Sequence, residues 1–156
     1  MSSSWYRQVT QNLDLLPDFL AFYEKEIEES TDETVARGIL TQQCAMIPGT
    51  SEYRMGQLKD IEAVLQFLEL KVKQLRSECY VKFSEHYNKE LANPAILKYI
   101  DGDADVVAHE LLCIEVARVS GLYQARLTGL ERKHYQVGNV AKLQTAGMQD
   151  VYIDIE

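Results

Sequence analysis

Basic and aromatic side chains crowd together twice in this chain. Arg76, Tyr80, Lys82 and Tyr87 lie close together on one stretch, and Tyr123, Arg126, Arg132, Lys133 and Tyr135 repeat the mixture on a later one. Cations neutralise phosphates and ring faces stack bases, which is what a single-stranded nucleic acid asks of a binding surface. The competing use of the same residues is structural. Tyr and Phe at helical spacing pack cores, and basic rows are solvated helix faces.

Other constellations fail on spacing. Asp101, Asp103 and Asp105 begin like a calcium loop, but Val106 and Leu112 stand where such a loop needs Gly and Glu. These aspartates suit instead the N-terminus of a helix starting near residue 105. His109, Glu110 and Glu115 share one helix and Glu78, Glu85 and His86 another, yet neither set has the Glu-x-x-His spacing of a carboxylate-bridged metal site. Gly-rich phosphate loops, Ser elbows and Cys/His nucleophile pairs are missing. Cys44, Cys79 and Cys113 are odd in number and widely spaced, which excludes a disulfide framework or a zinc site. The expectation is no catalytic residue, no metal, no cofactor and no enzyme activity.

The elements that must position the basic residues are helical. From about Ser51 to Leu91 there is no Pro and one early Gly, and Leu58, Ile61, Leu65, Leu68, Val72, Leu75 and Cys79 recur at spacings of three and four. That is a heptad seam. A helix of that length is roughly 60 Å long, too long to bury its stripe within one small globule without a long partner. Leu58, Ile61, Leu65, Leu68, Val72 and Leu75 are therefore the expected oligomer interface. Near residue 80 the heptad breaks, and apolar residues shift to Phe83 and Tyr87.

A second long helix is expected over about 105–134. Its stripe is Ala108, Leu112, Val116, Val119, Tyr123, Leu127 and Leu130, and Val107, Leu111 and Ile114 widen it enough for a further partner. Upstream, residues 4–14 read as a short helix capped by Ser4. A second opens at Pro17, and a third starts near Thr31 or Asp32 and ends near Ile47, before Pro48 and Gly49. Asn93–Pro94 restarts a turn or two, and Gly138 and Gly147 bracket a last short helix. The class is all-α: an antiparallel hairpin of two long helices with smaller N-terminal helices, oligomeric. It divides into an acidic helical region over 1–46, a two-helix core over 47–147 and an acidic-hydrophobic tail over 148–156. Alternation of Val151, Ile153 and Ile155 would let that tail add to a sheet edge or dock as a peptide.

The 156 residues carry 16 Lys and Arg against 24 Asp and Glu, a net charge of −8. That opposes wholesale attraction to nucleic acid or anionic membrane, but the charge is uneven. Residues 1–45 hold three basic and eight acidic groups, whereas Lys71, Lys73, Arg76, Lys82 and Lys89 outnumber Glu78 and Glu85, and Arg118, Arg126, Arg132, Lys133 and Lys142 outnumber Glu131. The N-terminus lacks the apolar run of a signal peptide and no segment approaches a membrane span. The expectation is a soluble protein of a reducing compartment, the cytoplasm.

Ile47-Pro48 opening a long helix, then Cys79-Tyr80-Val-Lys82-Phe-Ser-Glu85-His-Tyr87 near its end, resembles the UvsY-type recombination mediators of T4-like bacteriophages. Leu97-Lys-Tyr99-Ile-Asp101-Gly-Asp103-Ala-Asp105 leading into the second helix, and Arg132-Lys133-His-Tyr135-Gln-Val137-Gly-Asn139 closing it, extend the resemblance over roughly residues 46–146. It implies a non-enzymatic accessory of DNA recombination and repair: a homo-oligomer that binds single-stranded DNA and helps a strand-exchange recombinase displace the single-strand-binding protein. In an infected cell the place of action would be the host cytoplasm. Matched by position, Lys73, Arg76 and Lys82, with Lys133 a further candidate, would contact the DNA; Arg132 would join them in neutralising phosphates, and the rings of Tyr80 and Tyr87 would suit stacked bases. A different class remains open: an acidic helical scaffold or adaptor binding only protein, its basic residues spent on ion pairs. A third is an acidic inhibitor of a DNA-binding protein. A mediator needs its two basic stretches on one surface; an adaptor does not.

Overall fold

The computed structural model describes residues 5–85 and 93–148. Every described element is helical: α1 (Trp5–Gln11), α2 (Leu16–Glu29), α3 (Leu40–Glu85), α4 (Asn93–Asp101) and α5 (Ala104–Thr145), with 3-10 turns at Leu13–Leu15 and Thr31–Thr34. The expected strand alternation of the tail and the expected Ser4 cap lie outside the described residues. Among the described residues no helix is long and apolar enough to cross a membrane.

Local signals explain the short elements. The Asn12 side chain accepts from the Asp14 N–H at 3.0 Å and starts the first 3-10 turn. Pro17 sits in the first turn of α2, where its missing N–H costs nothing. Leu16, Phe19, Leu20, Tyr23 and Ile27 then form the buried face of α2. Asp103 caps α5, its carboxylate accepting from the N–H groups of Asp105 and Val106 at 3.0 and 3.3 Å.

Three expected boundaries move. The third helix is a 3-10 turn followed by an irregular link, with Gly38 at φ +94°, a backbone angle that glycine adopts without steric cost. α3 starts at Leu40 and runs through Pro48 and Gly49 without interruption. Pro inside a helix costs about 3 kcal/mol. Ile47, Arg54, Gln57 and Leu58, all buried on the same helix, outweigh it. α5 likewise continues through Gly138 to Thr145, with Lys133 and Val137 buried in the turns just before that glycine. The boundary expected between residues 46 and 47 therefore falls inside α3.

The largest correction concerns the heptad seam. Leu58, Ile61, Leu68 and Val72 are buried within the single chain, and Leu65 and Leu75 are half-buried. Leu58, Ile61 and Leu68 share one core with Val9, Phe19 and Tyr23 of α1 and α2 and with Val116, Val119 and Tyr123 of α5. The chain's own helices fill the seam, so it is not open to a second subunit. A smaller cluster joins Leu75, Cys79 and Phe83 of α3 to Ile96, Ile100 and Val106. What stays exposed is the widened part of the α5 stripe, Val107, Leu111 and Ile114.

Gly129 marks a close approach. A Cβ there would lie 2.6 Å from Thr34 Cγ2, so Gly129→Val is expected to cost about 2 kcal/mol in urea unfolding. Adding Thr34→Ala should recover most of the loss. An equal loss in the double variant would place the strain elsewhere.

Candidate nucleic-acid interface

The small core under α4 decides which side chains face outward at this end of the molecule. Ile96 and Ile100, four residues apart, turn inward onto Cys79 and Phe83. Lys98 and Tyr99 are thereby left on the exposed flank of α4, with Tyr99 47% exposed. On α3, Tyr80 and Lys82 are both exposed, Tyr80 to 40%, but their spacing puts them about 200° apart, on opposite flanks of the Cys79–Phe83 face. The Phe83 and Tyr99 rings lie 5.7 Å apart with a 30° tilt, and the Lys82 ammonium stands 5.9 Å from the Phe83 ring. The Tyr80 hydroxyl donates to Asn93 Oδ1 at 3.2 Å, which fixes its ring. Lys82 and Tyr99 thus share one flank through Phe83, whereas Tyr80 lies on the other, against Asn93.

Arg76 is placed differently. Its guanidinium donates to Asp101 at 2.7 Å and to Glu110 at 3.1 Å, tying α3 to α4 and α5. Lys73 lies at the edge of a groove shared with Glu69, Val72, Glu110, Cys113 and Ile114. Tyr87 lies outside the described residues. Cys79 and Cys113 are half-buried free thiols, and burial pushes both above the ordinary thiol value, the Asp103 and Glu69 carboxylates adding to the effect. Neither is an activated nucleophile. Among the described residues no group of three or more His, Cys, Asp or Glu could hold a metal ion.

The second basic stretch is at the other end of α5. Arg132 is exposed there, but Lys133 is only 7% exposed and its ammonium donates to the Glu33 carbonyl at 2.9 Å. From Glu110, where Arg76 docks, to Arg132 is roughly 33 Å along the helix. The two stretches do not share one surface within the chain.

Most other cations of α5 hold the acidic N-terminal region. Arg118 pairs with Glu24. Arg126 donates to the carbonyls of Ile27 and Thr31 at 3.1 and 3.2 Å, closing the C-terminus of α2, where a cation is favoured. On α3, Arg54 forks onto Glu33 at 2.7 and 2.9 Å and donates to Gln57 at 2.7 Å, and Gln57 with Tyr53 bonds Glu26. Glu24, Glu26 and Glu33 are the counter-charges of this arrangement.

Tyr23 and Tyr123 sit at its centre. The Tyr123 hydroxyl donates to the Tyr23 carbonyl at 3.0 Å, and burial pushes its pKa to about 12. Burial and the Asp60 carboxylate raise Tyr23 as well. A raised folded-state value leaves stability intact below pH 10 and removes it as pH climbs from 10 towards 12. Each unit is worth about 1.4 kcal/mol, so Tyr123 alone should contribute a loss of roughly 3 kcal/mol over that window. Tyr123→Phe should flatten the alkaline decline in unfolding experiments; an unchanged slope would exclude Tyr123 as its source.

Sequence reasoning did not single out Lys98 and Tyr99 as site residues. The available signal was the Ile96–Ile100 pair, which fixes the buried face of α4 and so the outward position of its neighbours. No protein-family model, curated protein or solved structure matches the chain.

Proposed function

We propose that this chain is a recombination mediator: a homo-oligomer, built on an antiparallel hairpin of two long helices, that holds single-stranded DNA and assists loading of a strand-exchange recombinase against a single-strand-binding protein. The observation that carries the reading is the exposed Lys82 and Tyr99 flanking Phe83, with Lys98 next to Tyr99 on α4 and Tyr80 on the other flank of α3. Lysines on phosphates and tyrosine faces against bases give affinity without sequence preference. Lys73 extends the cationic edge, and Arg76 acts as a strut that positions α4. Self-association would multiply a weak contact per subunit through effective concentration, so a net charge of −8 does not abolish binding. The exposed Val107, Leu111 and Ile114, spaced four and three on α5, are the surface this reading gives to the oligomer.

A second reading rests on its own observation. Arg76, Arg118, Arg126 and Lys133 are all committed to partners inside the chain, as in an acidic helical adaptor that binds only protein. Light scattering on a size-exclusion column, with and without a labelled single-stranded oligonucleotide, separates the two. The mediator takes up the oligonucleotide at low salt as a discrete oligomer and sheds it as salt rises, because counterion release scales with the phosphates contacted. An oligomer that ignores DNA at low salt leaves the adaptor.

A further inference from the structure

At the end of the molecule away from α4, two cavities of about 280 and 190 Å³ lie between α3, the 32–38 link and α5, and Arg37 and Gln43 line both. Their α5 wall is one row, Leu130, Lys133, Val137, Val140 and Gln144. The polar chemistry there is incomplete. Gln43 Oε1 is buried and accepts no hydrogen bond from any described residue, at a cost of about 1–3 kcal/mol for a lost partner. Among the described residues, the buried Lys133 has only the Glu33 carbonyl as acceptor, since Arg54 occupies the Glu33 carboxylate. Around these groups Val35, Met46 and Val140 remain exposed. Arg37 pairs with Asp32 at 2.9 Å, and Asp32 and Glu33 line the groove beside Arg37 and Lys133, so its charges balance. A segment that fits this groove therefore needs an N–H donor and apolar side chains together.

The end of α5 points to one. Gly147 has φ +78°, its N–H bonds the Gln144 carbonyl at 3.1 Å, and the Met148 N–H bonds the Leu143 carbonyl at 3.0 Å. That is a Schellman motif, which ends the helix and turns the chain away from its axis. The following residues, Gln149-Asp-Val-Tyr-Ile-Asp-Ile-Glu156, hold three acids, no cation and alternating aliphatics. Eight extended residues span about 26–29 Å, and Lys133 lies roughly 22 Å back along α5 from Met148.

We propose that residues 149–156 dock in cis along this groove. The Val151, Ile153 and Ile155 side chains would cover the exposed Val35, Met46 and Val140. A backbone N–H would satisfy Gln43 Oε1, and an acidic side chain would compete with Asp32 for the exposed Arg37 guanidinium. A tail tethered at Met148 enjoys an effective concentration near the millimolar range, so a weak contact suffices to fill the site. This inference does not depend on the mediator reading.

The test compares amide and methyl NMR spectra of the full chain with those of a chain stopped after Met148, a truncation that removes no described residue. The Gln43 side-chain amide and the methyls of Val35, Met46 and Val140 should shift on truncation. A synthetic peptide of residues 149–156 should restore them in the shortened chain, and bind the full chain at least tenfold more weakly. Arg37→Ala should weaken the peptide about tenfold, and Asp154→Lys in the full chain should reproduce the truncated spectrum. Shifts confined to residues 143–148, equal peptide affinity for both chains, or shifts that vanish on dilution (a tail borrowed from a second copy) would each overturn docking in cis.

Discussion

Arg54→Met should destabilise the chain by about 3–5 kcal/mol, the usual cost of removing one partner from a buried ion pair. Arg54 is 5% exposed, and its guanidinium spans Glu33, Gln57 and Glu26, the last at 3.4 Å. Without it Glu26 keeps the Tyr53 hydroxyl and the Gln57 amide, both at 3.2 Å, but Glu33 loses both charged donors. The midpoint of thermal unfolding should fall by roughly 10 °C for a chain this size. One further measurement ties the loss to the stranded carboxylate rather than to poorer packing. Adding Glu33→Gln to Arg54→Met should recover a large part of it. A double variant no more stable than Arg54→Met would assign the loss to packing.

This network also shows where reading the sequence stops. The helical class, the buried spacing of Leu58, Ile61 and Leu68, and the capping role of Asp103 follow from periods and cap chemistry that act within a few residues. Which partner fills the seam does not. Nothing local to Leu58, Ile61 and Leu68 decides whether Val116 and Tyr123 of the same chain or a second subunit will cover them, because that choice depends on loop closure and on α1 and α2 folding over both long helices. Pro48 misled for the same reason: its local penalty is fixed, whereas the burial of Ile47 and Arg54 that overrides it is tertiary. For the site, the clustering of Tyr80 and Lys82 was legible as composition. That Lys133 is spent on the Glu33 carbonyl, and Arg76 on Asp101 and Glu110, required the fold, since their partners lie far away in sequence.

Those commitments set the second large effect. Replacing Tyr80, Lys82, Lys98 and Tyr99 together by Ala should weaken single-stranded DNA binding by two to three orders of magnitude or more, since each stacked base is worth about 1–3 kcal/mol. Removing both lysines should lower the salt slope by about 0.7 for each phosphate no longer neutralised, whereas the tyrosine substitutions should reduce affinity and leave the slope alone. All four side chains are at least partly exposed, so the elution volume should stay near that of the parent chain, while loss of the Tyr80–Asn93 bond and the Tyr99–Phe83 ring contact should lower the unfolding midpoint slightly. Arg132→Ala, about 33 Å away along α5, should change affinity no more than about twofold by the same phosphate-contact reasoning. Arg76→Ala should act through α4: it frees Asp101 and Glu110, loosens the platform, and so lowers stability and affinity together. The pattern discriminates because it separates charge from stacking and one end of the molecule from the other. If Arg132→Ala weakens DNA as much as Lys82→Ala does, the strand crosses both ends of an assembled oligomer and the site is wider than the α3–α4 platform. If none of the substitutions alters a measurable affinity, the strand lies elsewhere and the platform is a docking surface for protein.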